Sequence, residues 1–312
     1  MAVSPRVLEM TGAPRPGLLV RVRAWWEQEH VFGYGLILPA LALLTCLVAY
    51  PFGMALYFSL SDYWVGSPGG FIGLDNYRAI LDNEVFLQTV RNSFVFTGIA
   101  LTMKTVLGVW LALLLARNIP YKRVLRGMVL LPWVIPTALS TLGWWWMFDS
   151  LYSVVNWTAI HLGLISPPGP NWLGQGNYAM AAVITVNIWR GLPFFAITVL
   201  AGLMAIPREF YEAAEVDGAT AWQRFCHVTL PLLRPVLAVV ILFSTLFTFN
   251  DFNIVQVLTR GGPMNTTHLF ATLAYQVGLQ GGNLGQGAAI SLFLFPMLAA
   301  VVFVQLRYIR KE

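Results

Sequence analysis

The sequence predicts an all-α, polytopic membrane protein with about six transmembrane helices. Of its 312 residues, 57% are hydrophobic and only 11% are charged, and the mean hydropathy is +0.67. A soluble domain carries roughly 25% charged residues, so much of the surface of this chain faces something other than water. The apolar residues are also gathered into long blocks, each close to the roughly 20 residues with which a helix crosses a bilayer.

Six apolar runs of spanning length predict the transmembrane helices. Several of these runs contain proline, which a membrane bundle tolerates as a kink. Between the third and fourth runs lies a shorter apolar segment, 150–165, which we interpret as a helix at the outer interface, with a seventh span as the alternative. The six runs cover residues 36–60, 94–116, 127–147, 178–205, 236–258 and 287–306.

Lysine and arginine are distributed unevenly over the connections between these runs. The N-terminal arm, the second and fourth connections and the C-terminus hold fourteen of them, whereas the other three connections hold three. Positive charge stays on the cytoplasmic side of a membrane protein, so we expect both termini to be cytoplasmic. Residues 1–35 then form a cytoplasmic arm, and residues 36–312 form the transmembrane domain.

Several functional classes lack their characteristic residues in this sequence. It contains no GxxxxGK[ST] loop and no other phosphate-cradling motif, so we expect no nucleotide-binding domain. The four histidines are scattered, and no cluster of histidine, cysteine and carboxylates indicates a metal site or a catalytic triad. We therefore predict that the chain is not an enzyme, binds no cofactor itself and does not bind nucleic acid.

One cytoplasmic connection, residues 206–235, has the pattern of two short helices rather than of a loop. Pro207 suits a first helical position, because the N–H that proline lacks has no partner there. Gly218 can take the left-handed conformation that ends a helix, and a second helix over residues 219–227 then runs to Leu230-Pro231. Small residues, with four acidic against three basic side chains, favour contact with a protein partner over lipid headgroups. A hairpin that packs on its own membrane domain is the alternative.

The residues of this connection resemble the signature of a known family. Glu212-Ala213-Ala214, Asp217-Gly218-Ala219 and Leu230-Pro231 with Pro235 have the spacing of the EAA motif of binding-protein-dependent ABC transporter permeases. In that family this coupling loop contains a helix that sits in a groove of the ATPase subunit. The resemblance thus assigns ATPase coupling to Glu212, Ala213, Ala214, Asp217 and Gly218.

Further segments are similar to the MalF-like permeases of the carbohydrate-uptake branch. Residues 71–77 resemble the F-x-G-L-x-N-Y element after the first span, and residues 259–263 fit the same branch after the fifth. The resemblance runs from about residue 36 to the C-terminus. It implies a permease subunit of an ATP-driven importer, which moves a mono-, di- or oligosaccharide across the bacterial inner membrane by alternating access.

The resemblance also implies the partners. They are a second homologous permease subunit, two ATP-binding subunits or domains that hold ATP and Mg²⁺, an extracytoplasmic sugar-binding protein and the surrounding membrane lipid. Two alternatives stay open. A permease for glycerol phosphate esters would use paired cations such as Lys104 and Arg190, and a secondary transporter would explain the buried charges but not the acidic coupling loop.

Polar residues in the fifth run are the candidates for the substrate pathway. Charges inside spans cost roughly 2.5–3.5 kcal/mol on insertion scales and usually face a bundle interior or a cavity. In a continuous helix Asn250 and Asn253 share a face, and Asp251 lies roughly 100° away from Asn250. Amides beside the aromatic residues Phe249 and Phe252 suit a sugar, whose hydroxyls need directional partners. The alternative is that these groups form structural hydrogen bonds between helices, with Asp251 neutralising a buried cation.

Overall fold

A computed structural model of the chain describes residues 28–67, 69–118 and 120–310. Most of the predicted cytoplasmic arm therefore lies outside the described residues. Within them the backbone is helical, with isolated bridges and no strand. The chain divides into two compact units, Met1–Ala55 and Leu56–Glu312, and both the coupling loop and the candidate substrate pathway lie in the second.

The helical elements of the described residues are numbered α1 to α12 in chain order. Three of them contain a π-helical turn: α1 (Glu29–Leu44, Thr45–Ala49, Tyr50–Ser59), α9 (Ala221–Arg224, Phe225–Thr229, Leu230–Phe249) and α11 (Phe270–Tyr275, Gln276–Gln280). The others are α2 (Asp75–Leu81), α3 (Glu84–Ala116), α4 (Lys122–Val134), α5 (Thr137–Met147), α6 (Val154–His161), α7 (Gly176–Ala205), α8 (Arg208–Val216), α10 (Asn253–Leu258) and α12 (Leu284–Arg310).

The prediction of about six spans is confirmed. Five stretches of the described residues are long and apolar enough to cross a membrane, and the pair α4 and α5 makes a sixth if it is counted as one broken span. The third predicted run is not straight, since α4 and α5 meet at 89°. Pro136 causes this bend, because it disfavours the helical conformation of Ile135, whose ψ is 134°.

The segment between the third and fourth spans does not cross the membrane. It contains α6, whose 8 residues cover only about 12 Å, so the alternative of a seventh span is wrong. Ser153 caps this short helix by accepting a hydrogen bond from the N–H of Asn156 at 3.1 Å.

Each predicted apolar run starts later than the helix that contains it, as α1 and α3 illustrate. α1 begins at Glu29 rather than at residue 36, so the end of the predicted arm is helical. α3 begins at Glu84 rather than at residue 94, because Asn83 caps it by accepting a hydrogen bond from the N–H of Val85 at 2.8 Å. Such polar first turns are invisible to a search for apolar residues, so the predicted runs were too short.

The fifth span departs most from its prediction. The helix after Gly218 begins at Ala221, where Thr220 and Gln223 form a capping box. It does not end near Leu230-Pro231 as predicted, but continues to Phe249. A π turn at Phe225–Thr229 ends two residues before Pro231 and adjusts the helix where proline leaves the α-helical hydrogen bonding incomplete.

The core that positions the sites lies between α3, α7 and α9. One buried cluster joins Phe96 of α3 and Val183 of α7 to Ile254 of α10. A second joins Phe195 of α7 to the far end of α3 and to α9. Gly108 permits the close contact of α3 with α7, since a Cβ atom there would lie 2.5 Å from the ring of Phe195. Small residues at such crossings let membrane helices approach closely.

The segment that resembles the F-x-G-L-x-N-Y element ties α2 to the end of α1. Asn76 is buried, and its Nδ2 donates to the carbonyl oxygens of Ser59 at 3.0 Å and Ser61 at 2.9 Å. The hydroxyl of Tyr77 donates to Oγ of Ser59 at 2.9 Å. The asparagine and tyrosine of this element therefore satisfy the polar groups that the helix end leaves free.

Candidate functional site

The coupling loop begins with α8, an amphipathic helix of nine residues. Pro207 is extended, with ψ at 140°, and forms the N-cap; the prediction that it occupies the first helical position was off by one residue. Glu212 and Ala213 are exposed, whereas Ala214 is half-buried. The three residues of the signature thus lie in one helix, with the first two open to a partner.

Gly218 ends α8 in the predicted left-handed conformation, with φ at +76°. The N–H of Ala219 donates to the carbonyl of Ala214 at 2.9 Å, and the N–H of Gly218 donates to that of Glu215 at 3.0 Å. This pair of bonds is a Schellman motif. Nothing lies within 4 Å of a Cβ atom built on Gly218, so a side chain there would meet backbone strain but no obstacle.

Side-chain contacts fasten α8 to the start of α9. Glu215 and Arg224 form an ion pair, and the hydroxyl oxygens of Tyr211 and Thr229 lie 3.0 Å apart. Large apolar side chains nevertheless stay open to solvent on this hairpin, including Val216 at 88% and Trp222 at 71% exposure. Exposed apolar groups of this size beside acidic residues are typical of a surface that binds another protein.

A buried polar cluster lies among α3, α7 and α9. Lys104 is only 3% exposed, and its Nζ donates to Oδ1 of Asn187 at 3.0 Å and to Oγ1 of Thr248 at 2.5 Å. The stem of the lysine passes over Gly191, where a Cβ atom would lie 2.8 Å from its Cδ. One lysine therefore connects three helices.

Asp251 lies where the fifth span is interrupted, between α9 and α10. Its Oδ2 accepts a hydrogen bond from Nδ2 of Asn187 at 2.8 Å, and its Oδ1 accepts one from the N–H of Ile254 at 3.1 Å. The second bond places a carboxylate at the first turn of α10, where the helix dipole favours it. The described residues show no salt bridge between Asp251 and either Lys104 or Arg190.

The two asparagines proposed for the substrate pathway flank the interruption. Asn250 caps the end of α9 with non-helical angles, and Asn253 begins α10. The chain between them is not helical, so the expectation of one continuous helix with both on one face was wrong. Both asparagines are exposed, and neither amide makes a hydrogen bond with the described residues.

The neighbouring aromatic residues separate into two kinds. Phe249 is 1% exposed and packs between the rings of Phe94 and Phe270, so it is a core residue and cannot stack on a sugar as expected. Phe252 is half-buried and meets Tyr275 edge-on, with ring centroids 5.1 Å apart.

Arg190 joins the cluster through an aromatic contact that the sequence did not predict. Its guanidinium carbon lies 5.2 Å from the centroid of the Trp133 ring, and Trp133 stacks on Phe194 with centroids 4.9 Å apart. A small cavity of about 30 Å³ lies between these rings and the side chains of Lys104, Asn187 and Asp251. Trp133 and Asn187 were not identified from the sequence as members of this cluster. The available signal for Asn187 was a single amide in an otherwise apolar run.

The turn after α10 is built from the residues that fit the carbohydrate-uptake branch. Gly261 has φ at +85°, and a Cβ atom on it would lie 2.1 Å from the ring of His268. Oγ1 of Thr267 donates to the carbonyl of Gly262 at 2.7 Å. Asn92 of α3 donates from Nδ2 to the carbonyl of Thr266 at 2.9 Å. This turn is therefore a rigid connection held against α3.

A span interrupted by polar residues within an apolar helical bundle is typical of membrane transporters. The chain belongs to the family described as "Binding-protein-dependent transport system inner membrane component", which matches residues 104–311. The fold and the family predicted from the coupling loop are thereby confirmed. The chain is accordingly an inner-membrane component of an ABC transport system, which works with a binding protein and ATP-binding subunits.

Proteins that are similar to this chain over most of its length are transport permeases. The trehalose/maltose transport system permease protein MalF of Thermococcus litoralis is 35% identical, over 90% of this chain and 94% of that protein. The sulfoquinovosyl glycerol transport system permease protein SmoG of Agrobacterium fabrum is 37% identical, over 89% and 90%. The diacetylchitobiose uptake system permease protein DasB of Streptomyces coelicolor is 32% identical, over 94% and 90%.

Solved structures show the same fold. A chain of a bacterial ABC transporter involved in the import of the acidic polysaccharide alginate superposes with a TM-score of 0.79 at 24% identity, over 93% of this chain and 99% of that one. A chain of the MetNI methionine ABC transporter superposes with a TM-score of 0.54 at 19% identity, over 72% and 94%.

Proposed function

We propose that this chain is a permease subunit of an ATP-driven importer and that it moves a sugar through the membrane by alternating access. The observation that carries the proposal is the interruption of the fifth span at Asn250–Phe252. Two amides there, those of Asn250 and Asn253, are exposed and have no partner among the described residues. Amides donate and accept hydrogen bonds at once, as sugar hydroxyls require. The names of the relatives, which are permeases for trehalose, maltose, diacetylchitobiose and sulfoquinovosyl glycerol, support a sugar.

The geometry also supports a route by which ATP hydrolysis reaches this site. α9 runs without interruption from Ala221, beside α8, to Phe249, beside the broken region, a path of roughly 43 Å. Because Glu215 pairs with Arg224, α8 and the start of α9 are fastened together. A displacement of α8 by an ATPase subunit is therefore passed along α9 to Asn250.

The complete transporter follows from the same proposal. The chain pairs with a second homologous permease subunit and an extracytoplasmic sugar-binding protein, and two ATP-binding subunits hold ATP and Mg²⁺. It lies in a bacterial inner membrane with both termini in the cytoplasm, which the distribution of lysine and arginine supports. The chain itself is not an enzyme and supplies the pathway and the coupling loop.

The test compares ATP hydrolysis by the complete complex in nanodiscs with that of the isolated chain. Sugar-loaded binding protein should stimulate hydrolysis by the complex, whereas the isolated chain should neither bind nor hydrolyse ATP. Hydrolysis by the isolated chain, or solute uptake driven by an ion gradient without the ATP-binding subunits, would contradict the proposal and favour a secondary transporter.

A further inference from the structure

The buried polar cluster contains more positive than negative charge. The nitrogen of Lys104 is hydrogen-bonded to Asn187 and Thr248. The carboxylate of Asp251 is occupied by Asn187 and by the N–H of Ile254. Two cations and one carboxylate line the cavity, so one positive charge is left without a counter-charge.

Both cations interact electrostatically with Asp251, and Arg190 is the one of the two whose charge has no hydrogen-bonded partner among the described residues. Among the described residues its guanidinium makes no hydrogen bond and no salt bridge, and its Nε is buried without a partner. Its guanidinium lies over the ring of Trp133, which attracts a cation but leaves the N–H groups unbonded. A cation at membrane depth is costly unless something pairs with it, so this arrangement points to a ligand that does.

The residues that line the cavity, and its volume, restrict the chemical class of that ligand. The planar guanidinium has N–H donors in a fork that matches the oxygens of a carboxylate, a sulfonate or a phosphate. The cavity of about 30 Å³ has room for one small polar group and not for a sugar ring. An acidic group that projects from a sugar meets both conditions.

We infer that Arg190 binds an acidic group of the transported sugar, so that the substrate is an anionic glycoside. This inference rests on the proposed function and names the class of its substrate. Arg190 fixes the acidic group, Lys104 adds a second positive charge to the lining, and Asn250 and Asn253 bind hydroxyls of the sugar ring.

The experiment measures ligand binding by the assembled complex in nanodiscs without binding protein, as a shift in Tm. The probes are methyl glucuronide and glucose 6-phosphate, which are acidic, and methyl glucoside, which is neutral, all at the same ionic strength. The acidic probes should raise the Tm more than methyl glucoside does. In Arg190→Gln the apparent affinity for the acidic probes should fall by about tenfold or more, to the level of the neutral probe.

Two further variants keep the test decisive. Arg190→Lys retains the charge without the fork and should restore part of the affinity, which a merely structural role would not require. Arg91→Gln removes an exposed arginine from α3 and should change nothing. Equal shifts by acidic and neutral probes, or no shift by the acidic probes, would overturn the inference.

Failure of the inference is distinguishable from failure of the proposed function. If the complex imports neutral sugars with ATP and Arg190→Gln leaves that uptake intact, the chain is a sugar permease without an acid-binding residue. If the wild-type complex imports no sugar with ATP, the proposed function itself fails.

Discussion

Asn187 donates a hydrogen bond from Nδ2 to Oδ2 of Asp251, at 2.8 Å. The other end of the same amide accepts from Lys104 at 3.0 Å. One neutral side chain therefore lies between the buried Lys104 and the half-buried Asp251 and bonds to both. It also fixes the broken region of the fifth span to the centre of α7.

Replacing this amide should destabilise the membrane domain. Asn187→Leu removes one hydrogen bond from Lys104 and one from Asp251, while Lys104 keeps Thr248 and Asp251 keeps the N–H of Ile254. A hydrogen bond to a charged group contributes about 1.5–3 kcal/mol. We expect a lower Tm and a lower membrane level of the assembled complex. Asn177→Leu, at an exposed position of the same helix, is the control. Equal behaviour of the two variants would show that Asn187 does not hold the cluster together.

The asparagines at the interruption should behave differently. Asn250 and Asn253 have no partner among the described residues, so Asn250→Leu or Asn253→Leu removes no internal hydrogen bond. We expect reduced sugar uptake with normal assembly and normal basal ATP hydrolysis. Asp251→Leu, in contrast, removes two internal bonds and should reduce assembly. Dissociation of the complex in the asparagine variants would mean that they are structural.

Gly218→Val should uncouple the ATPase without affecting membrane insertion. A β-branched side chain at φ +76° costs about 1 kcal/mol or more, and the turn that orients α8 is lost. We expect low recovery of ATPase in a pull-down through this chain, at an unchanged membrane level. Glu212→Ala and Ala214→Asp should give the same result, because they change the surface of α8 that contacts the ATPase.

Gly66 supplies the matched control for that strain. It has φ at +83° and, like Gly218, has nothing within 4 Å of an added Cβ atom, but it lies in the connection after the first span. Gly66→Val should leave ATPase recovery unchanged. Normal ATPase recovery and normal uptake in all three variants, Gly218→Val, Glu212→Ala and Ala214→Asp, would show that residues 206–235 are only a hairpin and do not couple to the ATPase.

Acidification should destabilise the turn after α10 through His268. Burial lowers the pKa of His268 below its ordinary value of 6.5, against a hydrogen bond to the side chain of Gln276 that raises it. Above pH 6.5 the imidazole is neutral in both folded and unfolded chains. Below it the unfolded chain takes up a proton first, so stability falls as the pH falls.

The measurement is the Tm of the complex between pH 7.5 and 5.5. His268→Gln should flatten part of the decrease, whereas His161→Gln, at an exposed position, should not. An identical slope in wild type and His268→Gln would show that this ring does not sense pH.

The sequence predicted those features that depend on a single short stretch of residues. Spanning length located the membrane helices, and Gly218 was recognised because glycine alone takes its conformation without strain. The interruption at Asn250–Phe252 was missed because an apolar count continues across three residues. Asn187 was missed because its role depends on Lys104 and Asp251, which lie far from it along the chain. The predicted helix end at Leu230-Pro231 was wrong because a π turn at Phe225–Thr229 accommodates the proline and the helix continues.

Sugar uptake into proteoliposomes tests the central claim most directly. The complete complex is reconstituted with its binding protein, loaded with ATP, and supplied with labelled trehalose, diacetylchitobiose and a glucuronide. The account predicts accumulation of at least one of these sugars, which depends on ATP hydrolysis and is reduced in both Gly218→Val and Asn250→Leu. Accumulation that proceeds without ATP, or that both variants leave intact, would contradict it.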